Sequence, residues 1–248
     1  MEAVKDRVAL IAGVGEIGEA VGLRFAKGGA KVAVADSDQG KVDSLVSKIN
    51  AGGGEALGVV ADPTRFDDVK KVVGEVVARF GRVDILVNNV DDPHCKDIAE
   101  MSKDDWDKAI DNNLSPVFLF TREVVGIMRK NNYGRVISIG SLDYLGWQGK
   151  ANYSAARSAI FGFTRSLALE LAKSGITVNY VAKGEITTAA LSEEDTARIK
   201  EVVPVQRAGE PEDVAGVVGF FASDASKYLT GQTLFVCGGK SIHSSMSV

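Results

Sequence analysis

The chain has 248 residues, of which 45% are hydrophobic and 25% charged, and its formal net charge is −4 at neutral pH. This length and apolar content are typical of one α/β domain with a sizeable core. The acidic balance excludes a broad basic surface for nucleic acid or an anionic membrane. No apolar run is long enough to span a bilayer, no signal-peptide pattern opens the sequence, and the two cysteines are far apart. We therefore expect a soluble cytoplasmic protein.

The first predicted element is a buried strand over the apolar run 7–12. Gly13, Gly15 and Gly18 follow as G-V-G-E-I-G and lead into a predicted helix over 17–27. This order of strand, glycine turn and helix suits the pyrophosphate of a dinucleotide. The first glycine makes the tight turn, the second lets the backbone approach the phosphates, and the third lets the helix pack on the strand. The helix N-terminus then faces the anion.

The second predicted strand, 31–35, ends at Asp36. This is the distance from a glycine turn at which an acid binds the adenosine ribose hydroxyls. An ordinary glycine-rich turn is the alternative for the first motif alone. Taken together, the turn and the acid predict a dinucleotide site.

Apolar, β-branched runs alternate with amphipathic stretches along the remaining chain. Further strands are predicted over 56–60, 83–87, 134–139, 176–181 and 233–236, and helices over 38–49, 66–79, 103–112, 115–130, 152–173 and 211–222. Continuous hydrophobic strands separated by helices indicate a parallel sheet covered on both faces. We therefore predict a single Rossmann-like, doubly wound α/β domain over 1–248, with a short polar tail at 241–248.

Two predicted helices are unusually apolar. Residues 154–172 carry hydrophobic side chains around most of the circumference, and 117–128 is similar. One sheet face cannot bury them all. Two deeply buried helices would explain the pattern, but we favour a pair of helices that forms a subunit interface.

Polar residues that could take part in catalysis follow the later strands. Asn88 ends a buried strand, Ser141 follows another, and Tyr153 comes twelve residues after Ser141, with Arg157 one helical turn beyond it. The i, i+4 spacing puts Tyr153 and Arg157 on one helix face. A fixed cation favours the phenolate, so this tyrosine would exchange a proton near neutral pH. For this pair alone, a solvated helix face is the simpler interpretation.

The pair is part of a longer series of motifs that resembles the short-chain dehydrogenase/reductase family, in its 3-oxoacyl-carrier-protein-reductase-like branch. The resemblance covers about residues 4–240 and includes Ile85–Asn89 (ILVNN), Asp111–Ser115 (DNNLS), Gln148–Ala156 (QGKANYSAA), Gly175–Asn179 (GITVN), Arg207–Val214 (RAGEPEDV) and Tyr228–Gln232 (YLTGQ). It implies a seven-stranded Rossmann sheet, a nicotinamide cofactor and hydride transfer at an alcohol or ketone. It also implies a tetramer built on the two apolar helices.

The resemblance assigns roles to four catalytic positions. Tyr153 would be the acid/base, Ser141 would hold the substrate oxygen, and Asn113 would anchor the water of a proton relay. Arg157 stands where the family has the lysine that orients the nicotinamide ribose.

For the cofactor, the resemblance implies that Asp36 selects NAD over NADP, because a carboxylate repels a 2′-phosphate. Asp62 would cap the adenine, Asn88 would line the cofactor groove, and Thr188 would touch the carboxamide. No metal site is expected, since the metal-ligand types in Asp91–Cys95 lack a partner cluster elsewhere.

The cofactor motifs depart from the family pattern. The glycine turn is one residue shorter than T-G-x-x-x-G-x-G, Ala12 replaces the threonine, and Glu16 stands where a glycine lies beside the phosphates. A carboxylate there repels the pyrophosphate. Arg157 keeps the charge of the family's lysine, but an arginine cannot give up a proton and so cannot join a relay.

Three further departures surround the catalytic positions. The family's N-N-A-G is Asn88–Asp91 (NNVD), its P-G after the sixth strand is Lys183-Gly184, and the segment from Ser141 to Tyr153 is one residue short. The fold motifs are kept while the active-site motifs are altered. Residues 189–203 lie where the family's substrate lid lies, and their short acidic composition does not suggest a site for a CoA phosphate.

This pattern is compatible with three alternative functions. The one we favour is a catalytically inactive subunit that pairs with an active paralogue. In this respect the chain resembles components of heteromeric hydroxyacyl-CoA dehydrogenases, such as the type that oxidises hydroxy(phenyl)methylsuccinyl-CoA in anaerobic toluene breakdown. The alternative is an active NAD-dependent alcohol dehydrogenase or ketoreductase that uses Tyr153 with Arg157. A free-standing binding or regulatory protein is the third.

Overall fold

The computed structural model describes residues 4–188 and 191–243. The strands are β1 (Val8–Ala12), β2 (Lys31–Asp36), β3 (Glu55–Val60), β4 (Ile85–Asn88), β5 (Gly134–Ser141), β6 (Ile176–Lys183) and β7 (Thr233–Val236). The helices are α1 (Gly15–Lys27), α2 (Gln39–Ala51), α3 (Phe66–Phe80), α4 (Lys103–Asn113), α5 (Ser115–Lys130), α6 (Ala151–Leu171), α7 (Glu193–Val202), α8 (Pro211–Ala222) and α9 (Lys240–His243).

The strands form one parallel sheet in the order β3-β2-β1-β4-β5-β6-β7. Alternate residues of β1 enter two hydrophobic clusters on opposite faces, because successive side chains of a strand point to opposite sides. Ile11 packs in a cluster with Val21, Leu45 and Val218, which lie on α1, α2 and α8. On the other face α3, α5 and α6 cover the sheet. The expected doubly wound, seven-stranded architecture is confirmed.

The strand order reverses between β1 and β4. The chain builds β1, β2 and β3 outward in one direction and then returns to place β4 on the other side of β1. In open α/β sheets the crevice at such a point, beyond the carboxyl ends of the strands, is where ligands bind. The glycine turn after β1 and the segment after β4 therefore share one edge.

Observed and predicted bounds agree within two residues for every strand and helix that was predicted. Two helices were not predicted, α7 and the short α9. The start of α7 carries a capping box: the hydroxyl of Ser192 accepts from the amide of Asp195, whose carboxylate accepts from the amide of Ser192. This S-x-x-D pattern is a sequence signal for a helix start. Of the expected lid, residues 189–190 lie outside the described residues, as does the end of the polar tail, 244–248.

The two apolar helices are each half covered by this chain. Ala156, Ile160 and Ala168 of α6 are buried, whereas Leu169 is 84% exposed and Phe118 of α5 is 46% exposed. Full burial within one chain is therefore wrong for both helices, and the subunit interface stays a prediction. Within the described ranges, no helix combines the length and the apolar character needed to cross a membrane.

Candidate active site

A cleft of about 360 Å³ lies at the carboxyl edge of the sheet, beside the β1–β4 reversal. It runs from the end of β2, past the glycine turn, to the segment after β4 and the end of β6. Its lining consists of Gly13, Val14, Gly15, Glu16, Ile17, Ala35, Asp36, Ser37, Lys41, Pro63, Asn89, Val90, Asp91, Lys183 and Thr188. These residues come from segments far apart in sequence, which the parallel sheet brings together.

The glycine turn has the geometry that its spacing predicts. Gly13 has φ +90°, and a Cβ there would lie 2.8 Å from the carbonyl carbon of Asn89. Gly15 has φ +45° and begins α1. A Cβ at Gly18 would lie 2.4 Å from the carbonyl oxygen of Gly13, so α1 packs closely on the turn. Since side chains cannot replace these glycines without strain, the shortened motif is a well-formed turn.

Asp36 lies in the cleft at the end of β2 and is fixed by backbone donors. Its Oδ2 accepts from the amide of Val14 at 2.8 Å, and its Oδ1 accepts from the amide of Asp38 at 3.0 Å. The first bond ties β2 to the glycine turn. The carboxylate is therefore held in place at the end of the cleft where we expect it to bind a ribose.

The expectation that Asn88 lines the groove is wrong. Asn88 is 2% exposed, and its Nδ2 donates to the hydroxyls of Thr121 and Ser138 at 3.4 and 3.3 Å. The next residue, Asn89, lines the cleft instead and donates to the carbonyl of Gly13 at 2.9 Å. The exchange follows from strand geometry, because consecutive side chains face opposite sides.

The remaining cofactor positions lie along the same edge. Asp62 accepts from both the amide and the hydroxyl of Thr64, and these bonds lower the pKa of Asp62 below its ordinary value. Its neighbour Pro63 lines the cleft, as does Thr188. Glu16 also lines the cleft, at the first turn of α1. A carboxylate therefore lies at this edge of the cleft, and its repulsion of cofactor phosphates stays a prediction.

At the opposite end of the cleft, Asp91, Arg157 and Lys183 form an ion cluster. Nη2 of Arg157 lies 2.5 Å from Oδ1 of Asp91, and Nζ of Lys183 lies 3.1 Å from Oδ2. Arg157 is fully buried on α6, so it is not the solvated face residue of the simpler interpretation. Although burial opposes ionisation, the two cations hold the pKa of Asp91 well below its usual range. The carboxylate is thus a fixed anion with a cation at each oxygen.

Tyr153 is bound to this cluster. Its side chain is buried, and its hydroxyl donates to Oδ1 of Asp91 at 2.7 Å. Burial raises the pKa of Tyr153, Arg157 opposes that shift, and Asp91 adds to it, so that the pKa lies well above its ordinary value. Arg157 does act in favour of the phenolate, but the expectation that Tyr153 exchanges a proton near neutral pH is wrong. The physical reason is first the burial of the tyrosine and then Asp91, which neutralises the cation and accepts the hydrogen bond of the tyrosine hydroxyl.

Asn113 has no free hydrogen-bonding position on its amide. Its Oδ1 accepts from Nη2 of Arg157 and from the amide of Asp92, both at 2.9 Å. Its Nδ2 donates to the carbonyls of Asp92 and Ala109 at 2.9 and 3.0 Å. An amide offers two acceptor lone pairs and two donors, and protein groups take all four. The role of anchoring a relay water is therefore not available to Asn113 in this arrangement; it fastens the segment after β4.

Ser141 belongs to a local turn at the end of β5. Its hydroxyl oxygen accepts from the amide of Asp143 at 3.1 Å and caps the 3₁₀ turn Leu142–Leu145. Tyr153 makes its hydrogen bond to Asp91 rather than across to this hydroxyl. The structure therefore brings Tyr153, Arg157 and Asn113 together around Asp91, with Ser141 serving the neighbouring turn.

In the sequence, Asp91, Arg157 and Lys183 are separate departures, and the contact of both cations with Asp91 was not predicted. The signs of the charges could have predicted this contact. The acid Asp91 and the bases Lys183 and Arg157 all depart from the family pattern at the same predicted edge of the sheet. Within residues 4–188 and 191–243, no group of three or more histidine, cysteine or acidic side chains is placed to hold a metal ion. Nε2 of His94, one of the metal-ligand types of the segment Asp91–Cys95, lies 3.3 Å from Oδ1 of Asp105.

Comparison with known proteins gives the family. Residues 12–241 match the sequence model described as enoyl-(acyl carrier protein) reductase. The chain is similar to the (2S)-[(R)-hydroxy(phenyl)methyl]succinyl-CoA dehydrogenase subunits BbsC and BbsD of Thauera aromatica. Both are 41% identical over 243 residues, which cover 98% and 96% of this chain and 97% and 98% of the relatives.

Two further similarities are of the same kind. A 3-oxoacyl-[acyl-carrier-protein] reductase of Synechocystis is 40% identical, over 96% of this chain and 98% of the relative. A short-chain dehydrogenase/reductase structure from Burkholderia xenovorans superposes with a TM-score of 0.93 at 30% identity, covering 98% of this chain and 99% of that one. The chain belongs to the short-chain dehydrogenase/reductase family of oxidoreductases.

Proposed function

We propose that this chain is a catalytically degenerate, structural subunit of an NAD-dependent dehydrogenase that acts on a secondary alcohol or ketone. It assembles with an active paralogue, in the cytoplasm, as a tetramer. A hydroxyacyl-CoA is the substrate class to test first. The observation that carries the proposal is the hydrogen bond from the hydroxyl of Tyr153 to Asp91, whose carboxylate Arg157 and Lys183 hold ionised.

The bond matters because an acid/base tyrosine must exchange its proton with a substrate oxygen near neutral pH. Here the hydroxyl points to a carboxylate that raises the pKa of Tyr153. Deprotonation would place a phenolate against the ionised Asp91, and like charges at this distance disfavour it. Tyr153 is therefore held as a neutral donor.

The residues of the cleft fit the adenosine end of NAD better than its nicotinamide end. Asp36 and the glycine turn suit the adenosine end of a dinucleotide. At the other end Asp91 takes the hydrogen bonds of Tyr153 and Arg157. The family resemblance assigns position 157 to the nicotinamide ribose, so the side chain of Asp91 competes with that group.

The relatives support the assembly part of the proposal. Two of them are named as subunits of one CoA-ester dehydrogenase, and this chain is equally similar to each. The exposed Leu169 and Phe118 on α6 and α5 supply apolar surface for a subunit contact. A paralogue with intact Tyr-x-x-x-Lys and T-G-x-x-x-G-x-G motifs would supply the chemistry.

A second candidate is an active dehydrogenase that uses Tyr153 with Arg157. The observation in its favour is that the two side chains remain in contact, with Cζ of Arg157 5.0 Å from the centre of the tyrosine ring. This candidate requires Asp91 to leave Tyr153 when the cofactor binds. It predicts turnover by this chain alone, which the first candidate does not.

The experiment is to produce the tagged chain alone and together with such a paralogue, and to measure native mass and NAD reduction with a panel of 3-hydroxyacyl-CoA esters. We expect no turnover from the chain alone and an active mixed tetramer on co-production. Leu169→Glu should weaken the tetramer, whereas Lys173→Glu, at an exposed position just beyond α6, is the matched control. A homotetramer of this chain with turnover would contradict the proposal.

A further inference from the structure

The two ends of the cleft differ in chemistry. At one end lie the carboxylate of Asp36 and the apolar groups of Ala35 and Pro63. At the other end lie Asp91 and Lys183, which belong to the ion cluster. A dinucleotide carries a nucleoside at each end, so the two halves of such a ligand meet different surfaces.

The Asp36 end suits an adenosine ribose. Both oxygens of Asp36 accept one backbone hydrogen bond, and a carboxylate has further lone pairs on each oxygen. Two fixed acceptors side by side match a vicinal diol. A phosphate on either ribose hydroxyl would bring negative charge against the carboxylate, which costs affinity. Ala35 and Pro63 line the cleft beside Asp36 and offer apolar surface to a base.

The Asp91 end is already occupied by protein. A second nucleoside that sought Tyr153 and Arg157 would have to displace Asp91 from both. Arg157 is fully buried, and breaking a buried ion pair leaves an uncompensated charge. Lys183 would lose the same partner. A second nucleoside would therefore have to break these ion pairs before making contacts of its own at this end.

We propose that the cleft binds an adenine nucleotide through the Asp36 end alone, with the ion cluster taking the place of the second nucleoside. This inference rests on the proposed function. The ligand class is an adenosine phosphate with both ribose hydroxyls free. The affinity of the cleft for NAD is no higher than its affinity for AMP, the adenylate half of NAD.

The test is calorimetric titration of the full chain with AMP, NADH and adenosine 2′,5′-bisphosphate. AMP and NADH carry similar phosphate charge, so they meet similar repulsion from Glu16, which lines the cleft. We expect their dissociation constants to agree within about threefold and the 2′,5′-bisphosphate to bind at least about tenfold more weakly.

Two variants locate the effect. Asp36→Asn should weaken AMP and NADH by the same factor, about tenfold. Asp91→Gly removes the carboxylate from Tyr153 and should tighten NADH about tenfold while leaving AMP unchanged. Thermal unfolding reports whether each variant is folded. If Asp91→Gly does not fold, Asp91→Asn serves, with a smaller gain for NADH in the same direction.

Three outcomes would overturn the inference: no AMP binding up to about 5 mM, NADH binding to the unaltered chain at least about tenfold tighter than AMP, or equal effects of Asp91→Gly on both ligands. None of these by itself overturns the proposed function. That proposal fails on a different readout, turnover of 3-hydroxyacyl-CoA esters by the same preparation without a paralogue.

Discussion

The hydroxyl oxygen of Tyr153 lies 2.7 Å from Oδ1 of Asp91, the same oxygen that Nη2 of Arg157 contacts at 2.5 Å. One carboxylate oxygen of Asp91 therefore binds both Tyr153 and Arg157 on α6. Lys183 binds the other oxygen. Three positions that depart from the family pattern thus form one structural unit. Because they support one another, restoring any single position should not restore the site.

The first prediction concerns stability. Asp91→Asn removes the anion between Arg157 and Lys183 and leaves the buried guanidinium without its counter-charge. We expect the free energy of unfolding to fall by about 2 kcal/mol, which is below the roughly 3–5 kcal/mol of a fully buried broken pair, since the side chain of Asp91 is 29% exposed. Urea unfolding followed by circular dichroism measures this.

Asp92→Asn is the matched control for that experiment. Asp92 is the adjacent carboxylate, and its Oδ2 accepts from Nδ2 of Asn112 without contacting a cation of the cluster. We expect a loss below about 1 kcal/mol. Equal losses for the two variants would show that the ion cluster contributes nothing specific.

The second prediction is a pH dependence. The pKa of Asp91 is lower in the folded chain than its ordinary value of 3.8, because of Arg157 and Lys183 despite the opposing effect of burial. The stability it supplies is therefore fully present above the unfolded pKa and is lost as pH falls through the folded pKa. The difference in unfolding free energy between the unaltered chain and Asp91→Asn should be constant above about pH 5 and shrink below about pH 4. A difference that grows on acidification would contradict it.

The third prediction concerns the proton of Tyr153. Burial and Asp91 raise the pKa of this tyrosine, while Arg157 acts in the opposite direction. In Asp91→Gly the carboxylate is gone and Arg157 remains, so Tyr153 should ionise at a lower pH than in the unaltered chain. Absorbance at the tyrosinate band during an alkaline titration measures the shift.

Tyr153→Phe in both backgrounds identifies the signal, because the phenylalanine removes one titrating group. The component that disappears should titrate at lower pH in the Asp91→Gly background. If it titrates at the same pH in both, Asp91 does not control the proton of Tyr153.

The fourth prediction concerns the family's lysine. Arg157→Lys keeps a cation that can pair with Asp91, and Asp91 still accepts the hydroxyl of Tyr153. We expect no turnover of 3-hydroxyacyl-CoA esters by this variant without a paralogue. Robust NADH formation by the single variant would show that the arginine alone had silenced the site.

Much of the fold follows from local pattern. Continuous apolar runs predict the strands, and the glycine turn with Asp36 predicts one end of the cleft, because these signals lie within about thirty residues of chain. The pair Tyr153 and Arg157 is also local, being one helical turn apart.

The ion cluster could not be derived in this way. Asp91 follows β4, Arg157 lies on α6 and Lys183 ends β6, at separations of 66 and 26 residues. Only the sheet order brings β4 and β6 to either side of β5. The pKa of Tyr153 is raised first by burial and then by that contact, and both outweigh Arg157. Neither effect is visible in the local sequence, where Arg157 alone predicts a lowered pKa.

The most direct test of the account is Tyr153→Phe in the complex with an active paralogue, compared with Tyr→Phe at the catalytic tyrosine of that paralogue. If this chain is structural, its Tyr153→Phe variant should leave kcat unchanged, whereas the exchange in the paralogue should lower kcat by at least about a hundredfold. A loss of half or more of the turnover on Tyr153→Phe, with the complex intact by native mass, would show that this chain takes part in catalysis and would contradict the account.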